Sequence, residues 1–171
     1  MNWSPPKARE LSKRMRVEYF FLVDRILDLD LKTYSIRTES TVPTTSTIFE
    51  GHFPGYPLMP GVLLIEFMAQ SSGWLILAMT RFEHMPFMVA VKEAKFRTFV
   101  PPGQKLTASA KIAHEGSGYM ITDAEIANDG KLVCSANFTF RVMPFPTRVF
   151  SDKVRECAKL VDFPMEALAD G

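Results

Sequence analysis

Cysteine is nearly missing from this chain of 171 residues, which holds only Cys134 and Cys157. Two thiols cannot staple a disulfide scaffold or fill a cysteine-rich zinc site. One bridge at most stays open, and a reduced compartment is the simpler reading. Excess charge of either sign is missing too, since 20 basic residues face 19 acidic ones. Wholesale nucleic-acid binding needs a strong basic surplus and is therefore not expected. Basic residues do gather at Lys7, Arg9, Lys13, Arg14 and Arg16, but no apolar segment with a small-residue cleavage site follows them. No secretory signal is expected, and the protein reads as cytoplasmic. Internal repeats and low-complexity tracts are lacking as well.

What is present is the balance of an ordinary folded domain: 47% hydrophobic and 23% charged residues. The length fits one domain, with a core of about 17–143, a basic arm over 1–16 and a tail over 144–171. Ser4-Pro5-Pro6 is suited to starting a short helix in the arm. That arm's basic face suits an acidic partner, against the plainer reading of a solvated surface. The longest apolar run, Val62 to Met79, is about as long as a membrane span. It also carries Glu66, Gln70, Ser71, Ser72 and Gly73, which lipid penalises. No membrane span is predicted, but a helix enclosed by protein, with polar groups kept for a purpose.

Periodicity supplies the remaining elements. Residues 19–29 read as a strand or a helix–strand junction, and 33–42 as a strand. Gly51, Pro54, Gly55, Pro57, Pro60 and Gly61 then forbid regular structure until the apolar helix begins. Further strands are expected over 87–99, 106–112 and 119–127, with turns at Gly116-Ser117-Gly118 and Asn128-Asp129-Gly130. Leu132, Cys134, Ala136, Phe138, Phe140 and Val142 keep period two, so three or four long antiparallel strands should form a meander. One apolar helix and one long sheet leave an economical packing, an α+β fold with the sheet curled around the helix. In the tail, Val149, Val154, Cys157, Leu160 and Val161 have the spacing of a short amphipathic helix, packed on the sheet or on a neighbouring subunit.

Histidine occurs three times, and one instance has an unusual setting. His84, before Pro86, reads as a loop residue, and His114, beside Glu115, as a solvated strand end. His52 lies within Gly51-His52-Phe53-Pro54-Gly55, where glycine and proline fix the backbone around a titratable ring. Fourteen residues on, Glu66 sits inside the apolar helix, where an unpaired charge costs several kcal/mol. Either it pairs with a buried base, or it serves general acid–base chemistry with the histidine. Gln70 falls one turn further on the same face. Gly61 opens the helix, so its amide is one of the unpaired N–H groups at the positive helix end, able to meet a developing oxyanion.

The run GHFPGYPLMPGVLLIEFMAQSSG over 51–73 resembles the signature of the bacterial beta-hydroxyacyl-acyl carrier protein dehydratases of the FabZ type. Phe21-Leu22-Val23-Asp24-Arg25 and Lys95-Phe96-Arg97 with Val100, Pro102 and Gly103 extend the likeness over roughly 19–142. The resemblance implies the hot-dog fold, a curved antiparallel sheet wrapped around a long helix. It implies reversible loss of water from a (3R)-3-hydroxyacyl thioester to give the trans-2-enoyl thioester, with no metal and no redox cofactor. Sites in this family lie at a dimer interface, histidine from one subunit and acid from the other, and the dimers often gather in threes.

Carried onto this sequence, His52 takes the C2 proton and Glu66 helps protonate the departing hydroxyl. The Gly61 amide, with Val62, polarises the thioester carbonyl. Leu58 orients the histidine ring through its backbone carbonyl, and Gln70 positions water or Glu66. Phe96, Phe99, Val100 and Met88 are candidates for an acyl tunnel, and Lys95, Arg97 and Lys105 for contact with an acidic carrier protein.

The sequence departs from the family at Met15–Phe20, at Phe99 and Gln104, and in its longer tail. The departures suggest a specialised paralogue for unusual or very long chains as an alternative. FabA-type isomerases normally carry aspartate where Glu66 stands. A non-catalytic hot-dog subunit that binds acyl carrier protein is the non-enzymatic alternative, and a thioesterase on this fold is a further one.

Overall fold

In a computed structural model, which describes residues 16–168, six strands form one antiparallel sheet around a single long helix. The basic arm and its Ser4-Pro5-Pro6 start lie outside the described residues. In chain order come β1 (Arg25–Asp30), β2 (Ser35–Thr41), a short α1 (Ile48–Gly51) and α2 (Gly61–Met79). Then follow β3 (His84–Phe96), β4 (Lys105–Gly116), β5 (Tyr119–Asn128), β6 (Lys131–Pro144) and α3 (Arg148–Ala158). The sheet order is β1-β2-β4-β5-β6-β3.

The two turns expected between long strands are present, and their backbone explains the sequence. Ser117 and Gly118 (φ 52° and 75°) and Asp129 and Gly130 (φ 47° and 76°) all take positive φ. That is the pairing a two-residue turn needs to match the twist of its flanking strands. The meander is confined to β4, β5 and β6. Strand β3 does not continue it, but pairs antiparallel with β6 and forms the sheet edge. It also begins earlier than expected: His84 is its first residue rather than a loop residue, and Phe99 and Val100 follow its end.

Alternation fails in β6 where register shifts. Ile126 faces Cys134 but Ala127 faces Leu132, so a bulge turns Val133 inward and leaves Leu132 36% exposed. Similar shifts occur between Met88 and Ala90, Lys92 and Lys95, and Ile112 and His114. Each bulge adds local twist, which lets the sheet curl.

Helix α2 packs against β2, β3, β4, β5 and β6. Phe67, Met68, Leu75 and Ile76 are at most 1% exposed and meet Ile36, Leu106, Ile126 and Phe138 in one core. Each such side chain contributes about 1.5–3 kcal/mol by leaving water. The helix is long and apolar enough to cross a membrane, yet it is mostly buried inside this sheet. Its buried hydroxyls explain why the run is not wholly apolar. Ser71 Oγ donates to Phe67 O (2.8 Å) and lies 2.7 Å from Thr38 Oγ1 of β2, while Thr122 Oγ1 of β5 donates to Ser72 Oγ (2.9 Å). Two hydroxyl pairs therefore fix the helix's rotation against both halves of the sheet.

The tail forms the expected helix. Val154, Ala158 and Val161 turn toward the core, but Val149 is 69% exposed, because only the later turns of α3 meet the body. Both cysteines are free, Cys134 buried beneath the sheet and Cys157 on α3. Burial pushes the Cys134 thiol up to about 11.

Candidate active site

His52 directly follows α1, and its loop is closed by paired bonds. The Leu58 amide donates to His52 O (2.9 Å), and His52 Nδ1 lies 2.9 Å from Leu58 O. Phe53 and Tyr56 exchange backbone bonds across the same loop at 3.2 and 2.9 Å. A carbonyl only accepts, so Nδ1 carries the proton and Nε2 presents its lone pair outward. The imidazole stacks on Phe53, with ring centroids 4.1 Å apart. The Met59 amide donates to Val100 O (2.8 Å), which binds this loop to the one after β3.

Helix α2 begins two residues after Met59. Its first amide-to-carbonyl bonds run from Leu63 and Leu64 to Pro60 O, so the Gly61 and Val62 amides precede the helix's own bonding. The positive end of the helix dipole lies at these amides. A Cβ added at Gly61 would stand 3.0 Å from Phe96 Cε1 and 3.1 Å from its Cζ, so the missing side chain is what admits the Phe96 ring. Val62 points away and is 71% exposed.

Glu66 is partly buried and pairs with no base among the described residues. Its Oε1 accepts from Gln70 Nε2 (3.0 Å). Gln70 is itself held three ways, donating also to Phe20 O (2.9 Å) and accepting the Leu22 amide on Oε1 (3.1 Å). The segment before β1 therefore fixes the amide that orients the acid. Glu66 and Gln70 line a cavity of about 350 Å³ between α2, β3 and α3, walled mainly by apolar side chains that include Trp74, Phe87 and Met88.

The sequence candidates fall into separate groups. Gly61 and Phe96 touch, and Leu58 holds His52. Glu66, Gln70 and Met88 share the cavity, which His52 does not line. Val100 is 2% exposed, a core residue, whereas Phe99 is 76% exposed. Among the basic candidates, Lys105 Nζ pairs with Glu39 (2.6 Å) and Lys95 Nζ with Glu93 (3.7 Å). Arg97 Nη1 donates to Ser135 Oγ (3.1 Å) and Lys95 O (3.3 Å). Among the described residues, no group of three or more histidine, cysteine or acidic side chains is placed to hold a metal.

Sequence reasoning missed Phe20, Phe21, Trp74, Val154 and Cys157, all in the cavity wall. Trp74 was within reach, because it stands two turns beyond Glu66 on the same helical stripe. The others are remote in sequence.

The model of a FabA-like domain matches residues 15–137. A 3-hydroxyacyl-[acyl-carrier-protein] dehydratase FabZ of Fusobacterium nucleatum is 38% identical over 133 residues, 77% of this chain and 93% of that protein. The dehydratase of the same name from Chlamydia pneumoniae is 36% identical over 141 residues, 80% of this chain and 92% of that one. Among solved structures, the dehydratase heterocomplex ApeI:P from Xenorhabdus doucetiae matches with a TM-score of 0.60 at 14% identity, covering 77% of this chain and 88% of that one. A hypothetical thioesterase with coenzyme A from Streptococcus pneumoniae matches with a TM-score of 0.58 at 17% identity, covering 72% and 88%. At such identities these two likenesses establish the shared hot-dog fold alone.

Proposed function

The chain belongs to the FabA-like family, and from that membership we propose how its own residues divide a dehydration between them. The protein is a 3-hydroxyacyl-acyl carrier protein dehydratase of fatty-acid biosynthesis, converting the (3R)-3-hydroxyacyl thioester to the trans-2-enoyl thioester and water. The observation that carries the assignment of roles is the pair of hydrogen bonds between His52 and Leu58, which leaves Nε2 as the acceptor.

In this reading, His52 Nε2 removes the C2 proton and the C–H electrons move toward the thioester carbonyl. The Gly61 amide, with Val62 beside it, stabilises that oxygen as charge develops. Glu66, oriented by Gln70, delivers a proton to the 3-hydroxyl directly or through a water. The C3–O bond breaks, the C2–C3 double bond forms and water leaves. The proton held by His52 then returns to Glu66 through solvent. A positioned acid or base of this kind is worth roughly 10²–10⁴ in rate.

The acid and the base meet across two chains. Glu66's cavity lacks His52 within one chain. Meanwhile β3 is a 13-residue edge strand with Phe87, Met88 and Val89 each 38–56% exposed. An unpaired apolar edge of that length invites a second strand. A second copy pairing there covers the edge and brings its own loop 52–58 toward the acid, and three such dimers form the full assembly. The carrier protein docks on the rim at Lys95 and Arg97, which flank Phe96 over Gly61; Lys105 adds less because Glu39 already neutralises it. The enzyme works in the cytoplasm.

Hydration of the crotonyl thioester, followed by loss of enoyl absorbance, tests the reading on carrier protein and on coenzyme A. Turnover of the carrier-protein form that falls by roughly 10²–10⁴ in His52→Ala is expected. Wild-type activity in a correctly folded His52→Ala protein would overturn the mechanism.

A further inference from the structure

The family match ends at residue 137, but the chain goes on to build α3 eleven residues later. That helix turns back to the cavity lined by Glu66, where Val154 and Cys157 form part of the wall. Lying three apart, the two side chains share one face of α3.

The cavity has a direction. It follows a single stripe of α2, from Glu66 through Gln70, Gly73 and Trp74 to Leu77, a run of ~16 Å at the rise of an α-helix. The hydrogen-bonded polar pair, Glu66 and Gln70, stands at one end. Beyond Gln70 the stripe is apolar, so the Leu77 end is suited to hydrocarbon and remote from the acid.

At that far end α3 and the residues after it are fastened by contacts to the end of α2 and the segment before β1. Arg155 Nη2 donates to Arg81 O (3.3 Å) and Phe82 O (3.2 Å), the residues just after α2. Its guanidinium also lies 5.1 Å from the centre of the Phe82 ring. Phe163 meets Phe82 edge-on at 5.0 Å and Trp74 at 6.0 Å. Arg16 Nη2 donates to Leu160 O (3.1 Å), joining the tail to the segment before β1. With its last turns and the residues after them held in this way, α3 is a fixed wall rather than a loose cover where Val154 and Cys157 stand. A thiol is uncharged near neutral pH, and burial raises the Cys157 thiol further above its ordinary value.

We infer that α3 is the floor of the acyl cavity, and that Val154 and Cys157 set the longest acyl chain the enzyme accepts. The inference rests on the dehydratase reading and makes the added tail a device for chain-length selection. Up to the floor, each further methylene leaving water raises kcat/KM by about fourfold. Past the floor, a chain that meets α3 gains nothing and is excluded.

The test measures kcat/KM for enoyl-carrier substrates of graded length in wild type, Cys157→Phe and the double variant Val154→Ala with Cys157→Ala. In Cys157→Phe the cutoff is expected at shorter chains, with the longest wild-type substrate losing at least about tenfold and the shortest unchanged. The double variant is expected to move the cutoff to longer chains. Identical length profiles in variants that melt like wild type would overturn the inference. If Cys157→Phe fails to fold, the double variant decides alone. Absence of turnover by wild type at every length would instead defeat the dehydratase reading. The floor is then decided by the length cutoff for binding, read from Trp74 fluorescence in a Trp3→Phe background: a cutoff that moves with the variants supports it, and one that does not refutes it.

Discussion

At Gly61 two requirements meet in one missing side chain. The amide has to stand free at the start of α2, and the Phe96 ring has to lie against the backbone beside it. In Gly61→Ala the new Cβ arrives 3.0 Å from Phe96 Cε1, so the ring, which is 48% exposed, must give way by a few tenths of an ångström. Because alanine favours a helix over glycine, stability should change by less than about 1 kcal/mol. Activity should fall by about tenfold or more, through kcat rather than KM, since in the proposed mechanism the amide acts on charge that develops in the transition state. Steady-state kinetics alongside thermal melting checks this. An unchanged kcat would mean that the ring's position over Gly61 is irrelevant to the chemistry.

His52 stood out in the sequence because the glycines and prolines around it already implied a fixed loop. Glu66 stood out because a carboxylate is conspicuous in an apolar run. The clamp on Gln70 did not, because its partners Phe20 and Leu22 are 50 and 48 residues away and act through backbone atoms that any residue supplies.

Element by element, period two located the long strands, since one face of an antiparallel sheet must be apolar. It did not locate β3 at the edge, because pairing order depends on the crossover and leaves no mark on alternation. Bulges were hidden for a related reason: Val133 and Leu132 are both apolar, and only the register decides which turns inward.

On the opposite side of the sheet, Glu39 of β2 ties its neighbours together. It accepts from Lys105 of β4 (2.6 Å) and Arg25 of β1 (3.2 Å). The hydrogen bond from Lys105 is the main cause that holds its carboxyl below the ordinary 4.5, with attraction to Lys105 and Arg25 adding to it. A lowered value in the folded state means stability that is present above the ordinary pKa and is lost as pH falls through the folded one. The basic partners are exposed, so the amount should stay below about 1 kcal/mol. Urea midpoints of wild type and Glu39→Gln should therefore differ slightly at neutral pH and converge below about pH 4. A gap that widens on acidification would contradict the assignment.

For the whole molecule, the features that one chain leaves unexplained belong together. The outer edge of β3 has no strand partner among the described residues and exposes Phe87, Met88 and Val89, His52 lies outside the cavity of Glu66, and Phe53, Tyr56 and Val62, in and after the histidine loop, are exposed. The proposed second copy would account for all of them at once, because a two-fold interface presents the same edge twice and builds two equal sites.

Mixing chains tests that account most directly. His52→Ala and Glu66→Gln proteins, each nearly inactive alone, are unfolded, combined in equal amounts and refolded. Random pairing makes half the dimers mixed, and each mixed dimer holds one site with both groups intact. Crotonyl-carrier hydration should then recover to about a quarter of the wild-type rate. Verified mixed dimers no more active than either parent would place acid and base within one chain and contradict the shared site.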